Sequence, residues 1–505
     1  MDNKFFNFLL RKEGVILLVV VLVSFFIYHD FSKASGYASL QDYYSQQVSW
    51  DQCYENFECA TFDVPIDYAK ISTGTFQISA LRYMAQDPKR RIGSLIVNPG
   101  GPGASGVDYA YNAEYIFSPE ILDRYDIVGF DPRGVSRSAP IVCYNDQETD
   151  ANYASDSKVD TTAEFKQAIV DSKRFLQKCF NKNQHLTAFS TANAARDMDI
   201  LRALVGDKKL NYMGKSYGTY MGALYAKLFP NNIGRVVLDG AVDPRISNFE
   251  QTKTQAVGFD NALQAFIADC ITQSSCPLPR NQQAATQTII KLWQAAAINP
   301  LPLKDAKNDR RQVTESLLVI GTASALYDSG EGWPELRKAL TQALNGYGDL
   351  YLELADLYTG RQKDGTYPNN EFDSGAIIDC LDFADARTPQ EIRADAGKVA
   401  EVAPVFGPYI GLSGLACKYF STPKPVEVTK TKTNATIVIV GTTGDPATPY
   451  AWAKGLAKLL PNSDLLTYVG DGHTGQGRGN ACIDDAIDAF YLKGILPTTG
   501  LRCTA

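Results

Sequence analysis

Histidine is nearly missing from this chain, with three in 505 residues, at positions 29, 185 and 473. Any reaction that needs an imidazole base therefore has few places to find one. No Cys-x-x-Cys pair occurs among the ten cysteines, so zinc and thioredoxin-like redox chemistry lack support. There is no long basic run, and the formal charge is −7, which argues against a nucleic-acid partner. Internal repeats and low-complexity tracts are absent too. What is left has the composition of an ordinary soluble globular protein.

The N-terminus is a targeting segment. Lys4, Arg11 and Lys12 precede an uncharged apolar run, Val15 to Tyr28. The run is shorter than the roughly 20 residues of a spanning helix and suits a signal-peptide core. The positive flank directs the downstream chain outward. Cleavage is expected after Gly36 or Ala38, with an uncleaved signal anchor as the alternative. Residues 1–38 are thus set apart, and any membrane contact is confined to them. Ten cysteines behind an export signal read as disulfides of an extracellular or cell-surface protein. Their spacing suggests local pairs: Cys53–Cys59, Cys143–Cys179, Cys270–Cys276, Cys380–Cys417 and Cys482–Cys503.

The chemistry is announced by Gly214-Lys215-Ser216-Tyr217-Gly218. A strand candidate, Leu210 to Met213, precedes it, and a helix candidate, Tyr220 to Phe229, comes after it and is closed by Pro230. Gly-x-Ser-x-Gly at a strand-to-helix turn is the nucleophile elbow of the α/β-hydrolases. The Gly-Lys-Ser core also resembles a phosphate loop, but that motif needs a glycine at 209, where Lys209 stands. An elbow requires an acid and then a histidine downstream. His473 alone qualifies: His185 lies upstream, and His29 ends the apolar run. Asp445 comes after a fully apolar or β-branched strand candidate, Ala435 to Val440, and is favoured as the acid over Asp471, two residues from His473. The oxyanion hole is assigned to the backbone N–H groups of Tyr217 and Gly101. Gly101 lies in Asn98-Pro99-Gly100-Gly101-Pro102-Gly103, after the buried strand Ser94 to Val97. The reaction requires no metal and no organic cofactor.

Strand and helix patterns alternate through the first half, which predicts an α/β fold with a mostly parallel, doubly wound sheet. Phe62 to Ile66 and Thr75 to Leu81 suggest an opening antiparallel pair. From about Arg245 to Val426 helical patterns take over, and two more strands come after. We read residues 39–244 and 427–505 as one α/β-hydrolase core, with 245–426 inserted as a helical cap.

Several of these segments together resemble one family. They are Asn98 to Gly103, Tyr125 to Gly134, the Gly-x-Ser-Tyr-Gly-Thr elbow, Val237 to Gly240, Gly444 to Tyr450, Gly472-His473 and Cys482. They are similar to the secreted tripeptidyl aminopeptidase and proline iminopeptidase-like group of α/β-hydrolases, over about Asp51 to Cys503. The resemblance implies a serine exopeptidase acting on peptide substrates. It also implies a carboxylate in the cap for the substrate α-ammonium. Within Glu371 to Asp382, Asp382 fits the family's Ile-x-Cys-x-Asp pattern best, with a capping or exposed carboxylate as the alternative. Two departures, Lys215 inside the elbow and Thr474 after the histidine, are expected to line the substrate mouth. Asp131 and Arg133 are expected to form an ion pair on its floor. A cell-surface carboxylesterase on the same fold, and a non-catalytic binding module, are the competing readings.

Overall fold

The computed structural model describes residues 36–306 and 309–505, together with the backbone of Ser32 and Lys33. Most of the expected signal segment lies outside the described residues. Among the described residues, no helix is long and apolar enough to cross a membrane.

Eleven strands of the described chain form a single sheet: β1 (Ser32–Lys33), β2 (Asp51–Tyr54), β3 (Phe57–Pro65), β4 (Thr75–Tyr83), β5 (Gly93–Asn98), β6 (Tyr125–Phe130), β7 (Leu210–Lys215), β8 (Ile233–Asp239), β9 (Ile437–Gly444), β10 (Ser463–Asp471) and β11 (Arg502–Thr504). Their order is β11-β10-β9-β8-β7-β5-β6-β4-β3-β2, with β1 against β4. From β6 to β11 every pairing is parallel, while β4 pairs antiparallel with β6, β3 and β1. The opening antiparallel pair, the parallel body and the two late strands all occur where the sequence pattern put them.

A parallel sheet buried on both faces explains the apolar runs. In β9, Ile437 and Ile439 enter one core with Ile96, Tyr212 and Leu238. Val438 and Val440 enter the opposite core with Leu95, Met213 and Val237. This alternation obeys the two-residue period of a strand. The chain leaves β5 to one side for β6 and returns on its other side as β7. Such a reversal opens a crevice beyond the carboxyl ends of the strands, where ligands bind in α/β folds. The loop after β5 and the elbow after β7 both face that crevice.

Between β8 and β9 the chain builds helices instead of strands, among them Asn248–Cys270, Gln282–Ile298, Glu315–Leu326, Gly332–Leu344, Asp349–Thr359, Glu371–Asp382 and Pro389–Val402. Phe266, Trp293, Leu318, Leu336 and Tyr351 give this layer an apolar core of its own. The five disulfides join the cysteines as their spacing suggested. Cystines on this scale belong to an oxidising compartment, which points to an exported protein.

The expected Asp131–Arg133 pair does not form. Arg133 is fully buried and makes a two-pronged ion pair with Asp197, at 2.6 and 2.7 Å. Its remaining N–H groups donate to the carbonyls of Pro65, Ile66 and Ala188. Asp131 accepts instead from Ser105, from the Val107 amide and from Arg137. The two residues are neighbours in a turn that aims them at different partners. Removing one member of a buried pair strands the other charge, a loss of about 3–5 kcal/mol. Asp197→Ala should therefore move the urea unfolding transition to clearly lower concentration. An unchanged midpoint would contradict this account of Arg133.

Candidate active site

Ser216 is the residue between β7 and the Tyr217–Leu228 helix, at φ 54° and ψ −127°. A non-glycine residue in this region is strained by about 1–3 kcal/mol, and such strain gathers at functional turns. The turn is held from outside by the Ser216 amide, which donates to the Asp239 carbonyl at 2.8 Å. It also needs glycines: a Cβ on Gly214 would collide with the Gly218 carbonyl. The serine side chain is half-buried at the helix N-terminus, where backbone N–H groups favour developing negative charge.

His473 stands on the loop after β10. Its Nδ1 lies 2.9 and 3.0 Å from the two carboxylate oxygens of Asp445, which is 3 % exposed. Asp445 also accepts from the amides of Ala447, Thr448 and Thr474 and from the Thr448 hydroxyl, at 2.8–3.1 Å. Five donors fix the orientation of this carboxylate. An imidazole that donates from Nδ1 presents Nε2 as an acceptor. Asp471, the rival acid, makes no hydrogen bond to the imidazole; its carbonyl accepts from Ser329.

The serine and the imidazole both lie against the end of β8. Ser216 is bonded to Asp239, and a Cβ added to the next residue, Gly240, would lie 3.3 Å from His473 Cε1. Among the described residues no hydrogen bond joins the Ser216 hydroxyl to the ring. Catalytic hydrogen bonds are commonly long in ligand-free sites and tighten when substrate arrives.

The loop after β5 closes the site from the other side. Gly100 packs against the elbow, since a Cβ there would lie 2.7 Å from the Lys215 carbonyl and 2.8 Å from Ser216 Cβ. Its own N–H is taken by the Asn98 side chain at 3.0 Å. Gly101 is exposed at φ 102°, and among the described residues no acceptor takes its N–H. Tyr217 opens its helix, so its amide has no partner within that helix.

Other expected residues occupy different places. Asp382 is buried, and its carboxylate accepts from the amide and hydroxyl of Thr191, which makes it a brace rather than an open anion. Burial still pushes its carboxyl up to about 7. Lys215 turns away from the mouth and donates to the Gln476 carbonyl at 2.9 Å, close to buried Asp239. Thr474 is buried as well; its amide holds Asp445, and its carbonyl accepts from Thr442. His185 is exposed and sits edge-on to Phe76.

Four contributors had not been picked out by pattern. The Thr448 hydroxyl bonds Asp445 and lies 3.3 Å from His473 Nδ1. The Asp239 carboxylate accepts from the amides of Gly475 and Gln476, which anchors the histidine loop. Tyr327, from the helical layer, takes the His473 amide at 2.8 Å and sets its ring edge-on to the imidazole. Arg478 donates to the carbonyls of both Tyr327 and His473. Thr448 lies three residues beyond Asp445, the spacing of a local side-chain turn, which is the one sequence signal available for it.

Comparison with known proteins agrees with this architecture. Residues 93–479 match the model of the α/β hydrolase fold. The chain belongs to the α/β-hydrolase family. Serine protease Hip1 of Mycobacterium tuberculosis is 33 % identical over 478 residues, covering 91 % of each chain. Carboxylesterase B of the same organism is 37 % identical over 480 residues and covers 90 % of each chain. Tripeptidyl aminopeptidase of Streptomyces lividans is 29 % identical, over 90 % of this chain and 86 % of its own. This α/β-hydrolase is accordingly a serine hydrolase of the tripeptidyl aminopeptidase-like group. Replacing the acid of such a triad by its amide leaves the fold intact but presents the wrong tautomer, at a loss of about 10⁴-fold in kcat. Asp445→Asn should show a loss of that order in steady-state hydrolysis, and Asp471→Asn should stay within a few-fold of the parent. Equal losses in the two variants would contradict the assignment of the acid.

Proposed function

We propose that this serine hydrolase is an exported exopeptidase that cuts peptides near a free N-terminus. In this reading the Ser216 oxygen attacks the carbonyl carbon of the scissile bond while His473 Nε2 takes its proton. Asp445 holds the imidazole in the tautomer that can accept that proton. The oxyanion that forms is stabilised by the N–H groups of Gly101 and Tyr217, each worth about 3 kcal/mol in comparable sites. When the intermediate collapses, the C–N bond breaks and the imidazolium returns the proton to the departing amine. Water then attacks the acyl-serine ester by the same route and restores the hydroxyl. The helices of residues 245–426 act as a cap, and through Tyr327 they touch the histidine loop directly.

The observation that carries this reading is the buried Asp445 carboxylate, aligned with His473 beyond the strand ends that hold Ser216. Peptides as substrates are supported by relatives named as a serine protease and a tripeptidyl aminopeptidase. Export is supported by the disulfides and the N-terminal apolar run. The relative named as a carboxylesterase, at 37 % identity, favours a second reading in which simple esters are the natural substrate.

A panel of peptide p-nitroanilides with free and N-acetylated termini, run beside short acyl esters, separates the two. The exopeptidase reading expects the free peptides to be cleaved faster than their acetylated forms. Equal turnover of free and acetylated peptides would overturn the N-terminal preference. Ester turnover without any anilide cleavage would favour the carboxylesterase.

A further inference from the structure

Lys215 is the one charged residue of the elbow, and the acyl-transfer mechanism gives it no task. Its place is set by the sheet. Lys215 ends β7 directly opposite Asp239, which ends the parallel neighbour β8. Two residues earlier in each strand, Met213 and Val237 enter the core that also holds Val107, Val440 and Tyr468. By the two-residue period of a strand, Lys215 and Asp239 project to that same face. The Tyr217–Leu228 helix packs on the other one.

Both charges close on a single residue of the histidine loop. The Gln476 amide donates to the Asp239 carboxylate at 2.9 Å, and the Gln476 carbonyl accepts from Lys215 Nζ at 2.9 Å. The Gly475 amide donates to Asp239 as well, at 2.8 Å. Hydrogen bonds with an ionised partner are roughly twice as strong as neutral ones, so this loop is gripped from both sides. Asp239 is fully buried, and an anion there is unfavourable unless positive charge offsets it. Burial pushes its carboxyl up; Lys215 opposes this, as do the amides of Gln476 and Gly475 and the charge of His473. Asp239 therefore senses two cations: Lys215, and His473 whenever the base holds a proton.

Other groups face this cluster. Tyr109, from the Gly106–Tyr111 helix, has its phenol pushed up by burial and lies within electrostatic reach of Lys215 and Asp239. Asp484, from the Ala481–Lys493 helix, takes the Gly477 amide and also senses Lys215. Around His473 stand Asp445, Tyr327 and Arg478, and Arg478 in turn pairs with Asp328.

Resting on the acyl-transfer reading of Ser216 and His473, we propose that Lys215 is a positioning residue for the base. It is the counter-charge of Asp239, and the pair both pins the loop that carries His473 and balances the field around the imidazole. With Lys215 neutralised, Asp239 faces one cation, the imidazolium. The proton is then held more tightly on His473, and the base is freed only at higher pH. Neutralising Asp239 as well cancels the effect. A single charge about 10 Å away, at an effective dielectric of about 20, moves a titration by about one pH unit.

A serine is activated toward a fluorophosphonate by its neighbouring base, so the labelling rate against pH reports that base without a choice of substrate. The experiment compares the parent protein with Lys215→Met, Lys215→Arg, the double variant Lys215→Met with Asp239→Asn, and Lys208→Met as an exposed control. Thermal unfolding is recorded for each. In Lys215→Met the acid limb of the labelling rate should move about one unit to higher pH. Lys215→Arg and Lys208→Met should keep the parent limb, and the double variant should return toward it. Loss of the folded state in Lys215→Met but not in the double variant would also uphold the proposal, because only the single variant leaves a buried charge uncompensated. The proposal is overturned by a limb that stays or moves to lower pH in Lys215→Met. It is equally overturned by the same displacement in Lys215→Arg, Lys208→Met or the double variant, or by unfolding of both Met variants at position 215. Absence of labelling at Ser216 in the parent would instead sink the serine-hydrolase chemistry beneath it.

Discussion

The site depends on the parallel ladder that joins the carboxyl ends of β7, β8 and β9. Lys215 lies opposite Asp239, and Asp239 opposite Val440, in adjacent strands. The same ladder runs on past the strands, because the Ser216 amide donates to Asp239 and the Gly240 amide donates to Val440. Backbone hydrogen bonds thus set the separation between the elbow and the strand whose next turn bears Asp445. Side chains refine that spacing, but none of them could create it. The Asp239 carboxylate extends the arrangement to the histidine loop by holding the amides of Gly475 and Gln476. One residue therefore touches both the elbow and the histidine loop, through its carbonyl on one side and its carboxylate on the other.

The helical layer touches the crevice at two points. Tyr327 accepts from the His473 amide and sets its ring edge-on to the imidazole, and Arg478 donates to the carbonyls of both. Across the crevice, the Glu371–Asp382 helix rests on the glycines of the loop after β5. The first contact fixes the backbone of His473, and the second sets Glu371 against Gly101 and Gly103.

Much of this was legible in the sequence because parallel strands leave a strong pattern. Ile437 to Val440 is apolar throughout since both of its faces are buried, and the elbow glycines are required by contacts closer than any Cβ allows. Asp445 could be favoured over Asp471 because it leaves its own strand end, whereas a residue two before the histidine points elsewhere. What failed were judgements about the direction of single side chains. Lys215, Thr474, Asp131 and Arg133 lie in or beside the right loops, yet they find partners in distant segments: Gln476, Asp445, Ser105 and Asp197. Asp382 and Glu371 differ by three helical turns, and only packing against Thr191 or against Gly101 tells a satisfied acid from an open one. Local spacing cannot encode that difference.

The central claim is that the Ser216 hydroxyl, next to the Asp445–His473 pair, is the nucleophile. The most direct measurement is peptide mapping by mass spectrometry after reaction with a fluorophosphonate. A single adduct on the peptide containing Ser216, absent from Ser216→Ala together with hydrolysis, is the result this account expects. An adduct on another residue, or hydrolysis that survives in Ser216→Ala, would contradict it.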